Sequence, residues 1–312
     1  MNGAILVTGA AGLVGAAVAS ALRNAGARVL GVDLNADPDK GTVACDLLDA
    51  DKLQAVAAPW TLGAIVHCGA VSGPSLYRDD PGYVARTNVE STLNLLELAR
   101  ARGIPRFVFA SSASVYGRTP PGEEVREERP LRPTSVYAAT KVAGEALVEA
   151  YSRQCGISGV SLRIAAVYGP GRRTPCSIRN MILAGFEGKA LELPFGRDQR
   201  YHYIHVEDVA AAILAAVRAR SFPRSAYTIA ADRGITLGRL AELLREIVPG
   251  PPVVVAASDD PLSDPQGPYA LGAAREDLGW QAAVDLSAGI RSYAGFLASE
   301  KLKSPLQINS IA

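Results

Sequence analysis

The sequence predicts an α/β protein: a doubly wound parallel sheet with a smaller C-terminal lobe. Two observations carry that reading. Short apolar runs and helical stretches alternate from the N-terminus to about residue 165, the rhythm of βαβ units. The first run then turns through Thr8-Gly9-Ala10-Ala11-Gly12-Leu13-Val14-Gly15, placing three evenly spaced glycines where a strand gives way to a helix.

Ala4 to Thr8 is apolar until its last residue, as a strand buried on both faces should be. Leu13 to Ala25 reads as an alanine-rich helix closed by Gly26. Arg28 to Val32 gives a second strand ending at Asp33. Thr42 to Cys45 and Ala64 to Cys68 give two more, with helical sequence between them. Pro81 suits a first helical turn, and apolar residues at helical spacing run from Tyr83 to Arg102, before Gly103. Phe107 to Ala110 is a fifth strand, Val136 to Gln154 a helix, and Val160 to Ile164 a sixth strand. Beyond it the pattern loosens, and 169–200 is rich in Gly, Pro and Arg. His205 to Arg218 is a clear helix expected to pack back on the sheet, and Leu237 to Ile247 is another. Tyr227 to Ala230 and Val253 to Val255 read as strands, and Ser258 to Pro268 as loop. This division gives a dinucleotide-binding domain over 1–168, rejoined by 201–230. A substrate-binding lobe takes 169–200 and 231–300, and 301–312 forms a tail.

A chain of 312 residues with 48% hydrophobic and 20% charged residues can bury a large core. Thirty-two basic against 31 acidic residues leave a formal charge of +1, which gives no footing for a nucleic acid or a membrane surface. Cys45, Cys68, Cys155 and Cys176 are scattered without C-x-x-C spacing, as reduced thiols of a cytoplasmic protein would be. The apolar N-terminus lacks a basic leader and is interrupted by Arg23 and Asn24, so strand-turn-helix fits it better than a signal. His202 and His205 have no partners at ligand spacing, and no metal is expected.

Gly9, Gly12 and Gly15 have separate physical roles: a tight turn, close backbone approach to a pyrophosphate, and close packing of helix on strand. The helix that follows offers unpaired N–H groups and a partial positive charge to phosphates. Asp33 lies 24 residues after Gly9, at the end of the second strand, where a carboxylate accepts from both ribose hydroxyls. The same charge repels a 2′-phosphate. The expected cofactor is therefore NAD rather than NADP.

Tyr137 and Lys141 are four apart on one helix face, and Ser112 follows a strand end. A free tyrosine has a pKa near ~10 and is a poor base at neutral pH. An ammonium beside it, with the positive nicotinamide ring, is expected to lower that value by roughly two or three units. The phenolate can then take a hydroxyl proton while hydride leaves the same carbon. Ser112 can bond the reacting oxygen, and Lys141 can hold the nicotinamide ribose. The set reads as catalytic: Ser112, Tyr137 and Lys141.

With these residues in place the chain resembles an extended short-chain dehydrogenase/reductase of the NAD-dependent sugar epimerase/dehydratase family. The likeness runs through TGAAGLVG at 8–15, Asp33, Asp46-Leu47, HCGA at 67–70 and Asn88-Val89. It continues through SSASVYG at 111–117, YAATK at 137–141, LRIAAVYGPG at 162–171, YIHVEDVA at 203–210 and LGW at 278–280. The resemblance implies a Rossmann-like sheet and cofactor contacts at Leu13, Val14, Ser111 and Ile164, besides the glycines, Asp33, Tyr137 and Lys141. It puts Asp46 and Leu47 at the adenine, Cys68, Gly69 and Ala70 along the cofactor's centre, and Asn88 near the nicotinamide. Substrate contacts are expected at Ser72, Ser112, Ser114, Tyr137, Ala166, Arg173, Arg200 and Tyr201. It also implies a homodimer through the helices at 83–102 and 136–154.

Relatives that dehydrate sugars carry an Asp-Glu pair where this chain has Ala113 and Ser114, so dehydration is not expected. Ala166 replaces the asparagine usual in nucleotide-sugar members, and Tyr201 stands where an arginine is common, with Arg200 beside it. The segment 171–200 offers six basic residues (Arg172, Arg173, Arg179, Lys189, Arg197, Arg200) that suit a phosphate or carboxylate, or an ordinary solvated surface. The leading expectation is an NAD-dependent sugar or nucleotide-sugar epimerase. A net dehydrogenase of a sugar, sugar acid or other secondary alcohol is the alternative, and a non-catalytic NAD-binding sensor the third reading.

Overall fold

The computed structural model describes residues 3–73, 76–120, 122–231, 234–261 and 263–303. The N-terminal half alternates β1 (Ala4–Thr8), α1 (Leu13–Asn24), β2 (Val29–Asp33), β3 (Thr42–Ala44), α2 (Ala50–Ala57) and β4 (Leu62–His67). It continues with α3 (Pro81–Arg102), β5 (Arg106–Ser112), α4 (Val136–Cys155) and β6 (Ser158–Ile164). Then come β7 (Ala166–Tyr168), α5 (Ser177–Glu187), β8 (Leu191–Leu193), β9 (Arg200–Tyr201), β10 (Tyr203–His205) and α6 (Val206–Arg218). The chain closes with β11 (Ala226–Ile229), β12 (Ile235–Thr236), α7 (Leu237–Ile247), β13 (Val253–Val255), α8 (Gly272–Leu278) and α9 (Leu286–Lys303).

Seven strands form one sheet in the order β11-β6-β5-β4-β1-β2-β3. Every pairing in it is parallel. A parallel sheet must be covered on both faces, and β1 and β4 are buried along their whole length. On one face Val18 and Leu22 of α1 pack with Val209 and Ile213 of α6. On the other, Leu53 of α2, Leu95 and Leu96 of α3 and Val148 of α4 cover the sheet. The strand order reverses between β1 and β4, so a crevice opens beyond their carboxyl ends. This is a Rossmann-like fold.

The helices have local causes. Asp80 caps α3 by accepting from the Tyr83 amide at 2.9 Å, Pro81 opens its first turn, and Gly103 ends it in the left-handed region at φ 63°. Ser135 caps α4 in the same way, accepting from Ala138 at 3.1 Å. Helix α4 approaches β5 closely because residue 144 is glycine: a Cβ there would lie 2.5 Å from the Phe109 ring.

A second core joins Ile178, Met181 and Ile182 of α5, Leu240 and Leu244 of α7, and Ile290, Tyr293 and Leu297 of α9. Three two-stranded ladders, β7–β10, β8–β13 and β9–β12, surround it. The sequence pattern gave no helix over 177–187, yet α5 forms there, because Ile178, Met181 and Ile182 share one buried face. Of the expected tail at 301–312, residues 301–303 belong to α9, and 304–312 lie outside the described residues. No helix among the described residues is long and apolar enough to cross a membrane.

Candidate active site

All the strand-end residues singled out from the sequence meet at the carboxyl edge of the sheet. Gly9 follows β1, Asp33 ends β2, Cys68 follows β4, Ser112 ends β5 and Ile164 ends β6. At the first turn the backbone is too close for side chains. A Cβ on Gly15 would stand 2.1 Å from the Gly9 oxygen, and one on Gly9 (φ 65°) 2.8 Å from the Gly69 nitrogen. Gly12 is exposed, and a Cβ there would meet only the Gly9 oxygen, at 3.2 Å. Gly12 is also the N-cap of α1, with no side-chain cap and no acidic residue in the first turn. Leu13 and Val14 open that helix, half-buried. Asp33 lies across the loop, its two carboxylate oxygens accepting from Ala11 N at 3.0 Å and Leu34 N at 2.8 Å. Asp46 is exposed beyond β3, and Leu47 packs near Gly69.

The wall opposite Gly9 is held by a proton-directed chain. Thr8 Oγ1 accepts from Cys68 N at 3.1 Å and Gly69 N at 3.0 Å. Its single proton therefore goes to His67 Nδ1, 2.8 Å away. That leaves His67 Nε2–H to donate to Thr92 Oγ1 at 3.1 Å, and Thr92 donates to the Asn88 carbonyl at 2.8 Å. Burial, with the Lys141 charge nearby, pushes the His67 imidazole down to about 3, so it is neutral. Asn88 is fully engaged: its amide donates to Val71 O and Thr140 Oγ1 and accepts from Val71 N. It ties the 68–72 stretch to α3 and α4 instead of offering a free group to the nicotinamide.

Around Tyr137, Ser112 Oγ accepts from Ser114 Oγ at 2.9 Å and from Ser114 N at 3.2 Å. Its own proton is then free to donate. The Tyr137 phenol interacts with the Ser72 and Ser112 hydroxyls, which lower its pKa, but burial dominates and raises it. Lys141 Nζ donates to the Ala110 carbonyl at 2.8 Å and stands 4.8 Å from the Phe109 ring centre and 5.8 Å from that of Tyr137. Burial pushes the ammonium down to about 8, against the raising effects of Cys68 and Glu145. Lys141 is not among the groups that pull the phenol down: the ammonium is held by a carbonyl, and the hydroxyls of Ser72 and Ser112 favour the phenolate. Burial also pushes the Cys68 thiol up to about 12, so it is neutral.

Ser111 departs from its expected cofactor contact. Its hydroxyl donates to Glu145 Oε1 at 2.5 Å, inside the protein. Arg200 is exposed and donates through one guanidinium nitrogen to the Gly234 carbonyl, and Tyr201 donates to Asp260 at 2.9 Å. Ala166 is exposed at the start of β7. The basic segment is largely self-paired. Arg172 fans over the Val167, Thr174 and Pro175 carbonyls, Lys189 meets Glu187, and Arg197 meets Asp198. Arg173 is exposed and has no charged or hydrogen-bonded partner among the described residues. Sequence patterns did not single out Thr8, Glu145 or Arg163. The spacing of Glu145 after Lys141, four along the helix, was the available signal.

The segment 5–230, well over half of the chain, matches the NAD dependent epimerase/dehydratase family. A UDP-glucose 4-epimerase of Mycolicibacterium smegmatis is 32% identical, over 95% of this chain and 98% of that protein. A UDP-glucuronate 4-epimerase of Thermodesulfobacterium geofontis is 30% identical, over 69% of this chain and 72% of its own. Among solved structures, MoeE5 in complex with UDP-glucuronic acid and NAD superposes with a TM-score of 0.86 at 27% identity, covering 96% of this chain and 100% of that one. Thermus thermophilus UDP-glucose 4-epimerase, in complex with NAD, gives 0.86 at 27% identity, with 94% and 98% covered.

The residues present fit NAD. The uncapped N-terminus of α1 leaves its amides for a pyrophosphate, Gly12 leaves space on the loop's outer side, and Asp33 sits where a ribose diol would be received. The chain belongs to the NAD-dependent epimerase/dehydratase family, as an NAD-dependent enzyme of the extended short-chain dehydrogenase/reductase type.

Proposed function

We propose that the protein epimerises a UDP-sugar at C4, with Tyr137 as its proton-transfer group, Ser112 orienting the reacting oxygen and Lys141 holding the nicotinamide ribose. The observation that carries this reading is the directionality at Ser112. Because Ser112 Oγ accepts twice from Ser114, its proton points onward and can stabilise a phenolate at Tyr137 or bond the sugar oxygen. NAD, when bound, supplies reversible acceptance of a hydride and a positive ring beside the phenol. Tyr137 takes the hydroxyl proton as the C4 hydrogen departs with its electron pair, leaving a ketone, and gives the proton back when that hydrogen returns to the opposite face. Half-burial of Tyr137 and the neighbouring wall at 68–72 limit water around that oxygen. No carboxylic acid stands at 113 or 114 to expel a hydroxyl, so elimination has no acid catalyst there.

UDP-glucuronic acid leads the substrate panel. Several relatives carry that substrate in their names, and Arg173 offers an exposed cation for a carboxylate or phosphate. Assembly as a homodimer through α3 and α4 belongs to the same proposal, supported by Leu93 and Val136 being exposed on those helices. Incubation with UDP-glucuronic acid, UDP-glucose and UDP-N-acetylglucosamine, with products read by NMR, tests the assignment. A C4 epimer of one of them is the expected product. Net formation of NADH with any of them instead would establish a dehydrogenase.

A further inference from the structure

Three consecutive residues at the end of β5 each face one residue of α4, and the three helix residues are spaced four apart. The Ala110 carbonyl accepts from Lys141 at 2.8 Å, Ser111 Oγ donates to Glu145 at 2.5 Å, and the Ser112 hydroxyl meets the Tyr137 phenol. The first and third of these pairs make up the proposed proton-transfer group. The middle one has no place in it, yet it is the most heavily built. Glu145 is buried, and Arg163 Nε and Nη2 grip both its oxygens at 2.8 to 3.1 Å. Arg163 in turn donates to the Glu127 carbonyl at 2.7 Å and the Tyr116 hydroxyl at 3.2 Å, and Tyr116 bonds Thr228 Oγ1 at 2.7 Å. The network thus fastens α4, β5, β6 and β11 together.

A buried ion pair of this kind costs desolvation and is a poor device for stability alone. We propose that Glu145 is a positioning residue, whose hydrogen bond from Ser111 clamps the end of β5 so that Ala110 and Ser112 present their oxygens to Lys141 and Tyr137. The placement explains why Ser111 turns inward while its two neighbours serve the site. The carboxylate also faces Lys141 one turn along the helix and favours its ammonium. The other groups around that ammonium are the Cys68 thiol and the His67 imidazole, both neutral, and the Tyr137 ring. Glu145 is then the one carboxylate among those that act on Lys141.

The clamp rests on the reading of Tyr137 and Lys141 as the proton-transfer group, so its test includes a readout that needs no substrate. Lys141 can be followed by 13Cε NMR of lysine-labelled protein, against only Lys40, Lys52, Lys189, Lys301 and Lys303. In Glu145→Gln the loss of the charge lowers the Lys141 midpoint. In Ser111→Ala the carboxylate loses a donor and becomes the stronger partner, so the midpoint rises. Ser111→Thr, which keeps the hydroxyl, returns it to the wild-type value. A merely structural contact predicts no such opposite signs. In turnover, Ser111→Ala lowers kcat roughly tenfold or more with KM little changed, and Ser111→Thr restores it. Should Glu145→Gln fail to fold, the serine pair decides by itself. Midpoints that stay put or shift together, or a Ser111→Ala variant at wild-type kcat, overturn the clamp. Absence of turnover in the wild-type protein, with the midpoints moving as stated, would instead count against the epimerase reading alone.

Discussion

The Lys141 ammonium donates to the Ala110 carbonyl at 2.8 Å and lies 5.8 Å from the centre of the Tyr137 ring. The groups that pull the phenol down are two hydroxyls, those of Ser72 and Ser112. Because those donors favour the phenolate, removing Ser112 should raise the phenol's titration further. In NAD-free protein, ultraviolet difference titration against Tyr137→Phe should show Ser112→Ala shifted up and Lys141→Met close to wild type. A large shift in Lys141→Met and none in Ser112→Ala would restore the lysine as the acidifying group.

The stability of the fold should fall on mild acidification. All three histidines, His67, His202 and His205, are buried with their imidazoles held below the ordinary value of 6.5, chiefly by burial. A histidine depressed in the folded state binds its proton more readily when unfolded. Each contribution is therefore fully present above pH 6.5 and is lost as the pH falls through the range below it, down to about 3 for His67. Well below pH 6.5 the slope approaches about 1.4 kcal/mol per pH unit for His67, whose imidazole stays neutral down to about 3. The carboxylates of Glu97 and Glu187, depressed by Arg100 and Lys189, act only below 4.5 and do not enter that window. Urea denaturation between pH 7.5 and 5.5 should show the midpoint dropping steadily, and less steeply in His67→Gln. A flat profile contradicts the neutral, buried assignment.

The glycine loop separates folding from cofactor binding. Gly15→Ala forces a Cβ to 2.1 Å from the Gly9 oxygen and should cost about 3 kcal/mol or more. Gly12→Ala meets one atom at 3.2 Å, so stability should change by less than about 1 kcal/mol. NAD affinity should nevertheless fall at least about tenfold, ~1.4 kcal/mol, since the methyl enters the pyrophosphate's place. Asp33→Ala should weaken NAD and narrow its margin over NADP. Calorimetric titration of both dinucleotides, beside thermal melts, checks all three variants. Equal loss of stability in the two glycine-to-alanine variants would contradict the loop geometry.

The sheet was legible because its strands are short apolar runs ended by glycine or a polar residue. Ala4–Thr8 and Leu62–His67 need no partner to be recognised as buried strands. The motif residues Gly9, Asp33, Ser112, Tyr137 and Lys141 came with them, since sequence spacing fixes their place at one sheet edge. What sequence could not show was direction. Ser111 and Ser112 are identical in type and adjacent, and only the packing of α4 decides that one faces Glu145 and the other Tyr137. Helix α5 escaped notice because glycines and prolines flank it on both sides, while its apolar face is completed by residues from α7 and α9, far along the chain. The arginines of 171–200 suited either an anion or a solvated surface by sequence, and only the structure shows Arg172 and Arg200 bonding main-chain carbonyls and Arg197 bonding Asp198.

The most direct test follows the C4 hydrogen itself. UDP-glucuronic acid deuterated at C4, and then UDP-glucose labelled likewise, should be converted to the C4 epimer with the deuterium retained. No NADH should accumulate, and Tyr137→Phe should bind NAD yet turn over at least about a hundredfold more slowly. Loss of the deuterium to solvent, steady build-up of NADH, or undiminished turnover by Tyr137→Phe would contradict the account.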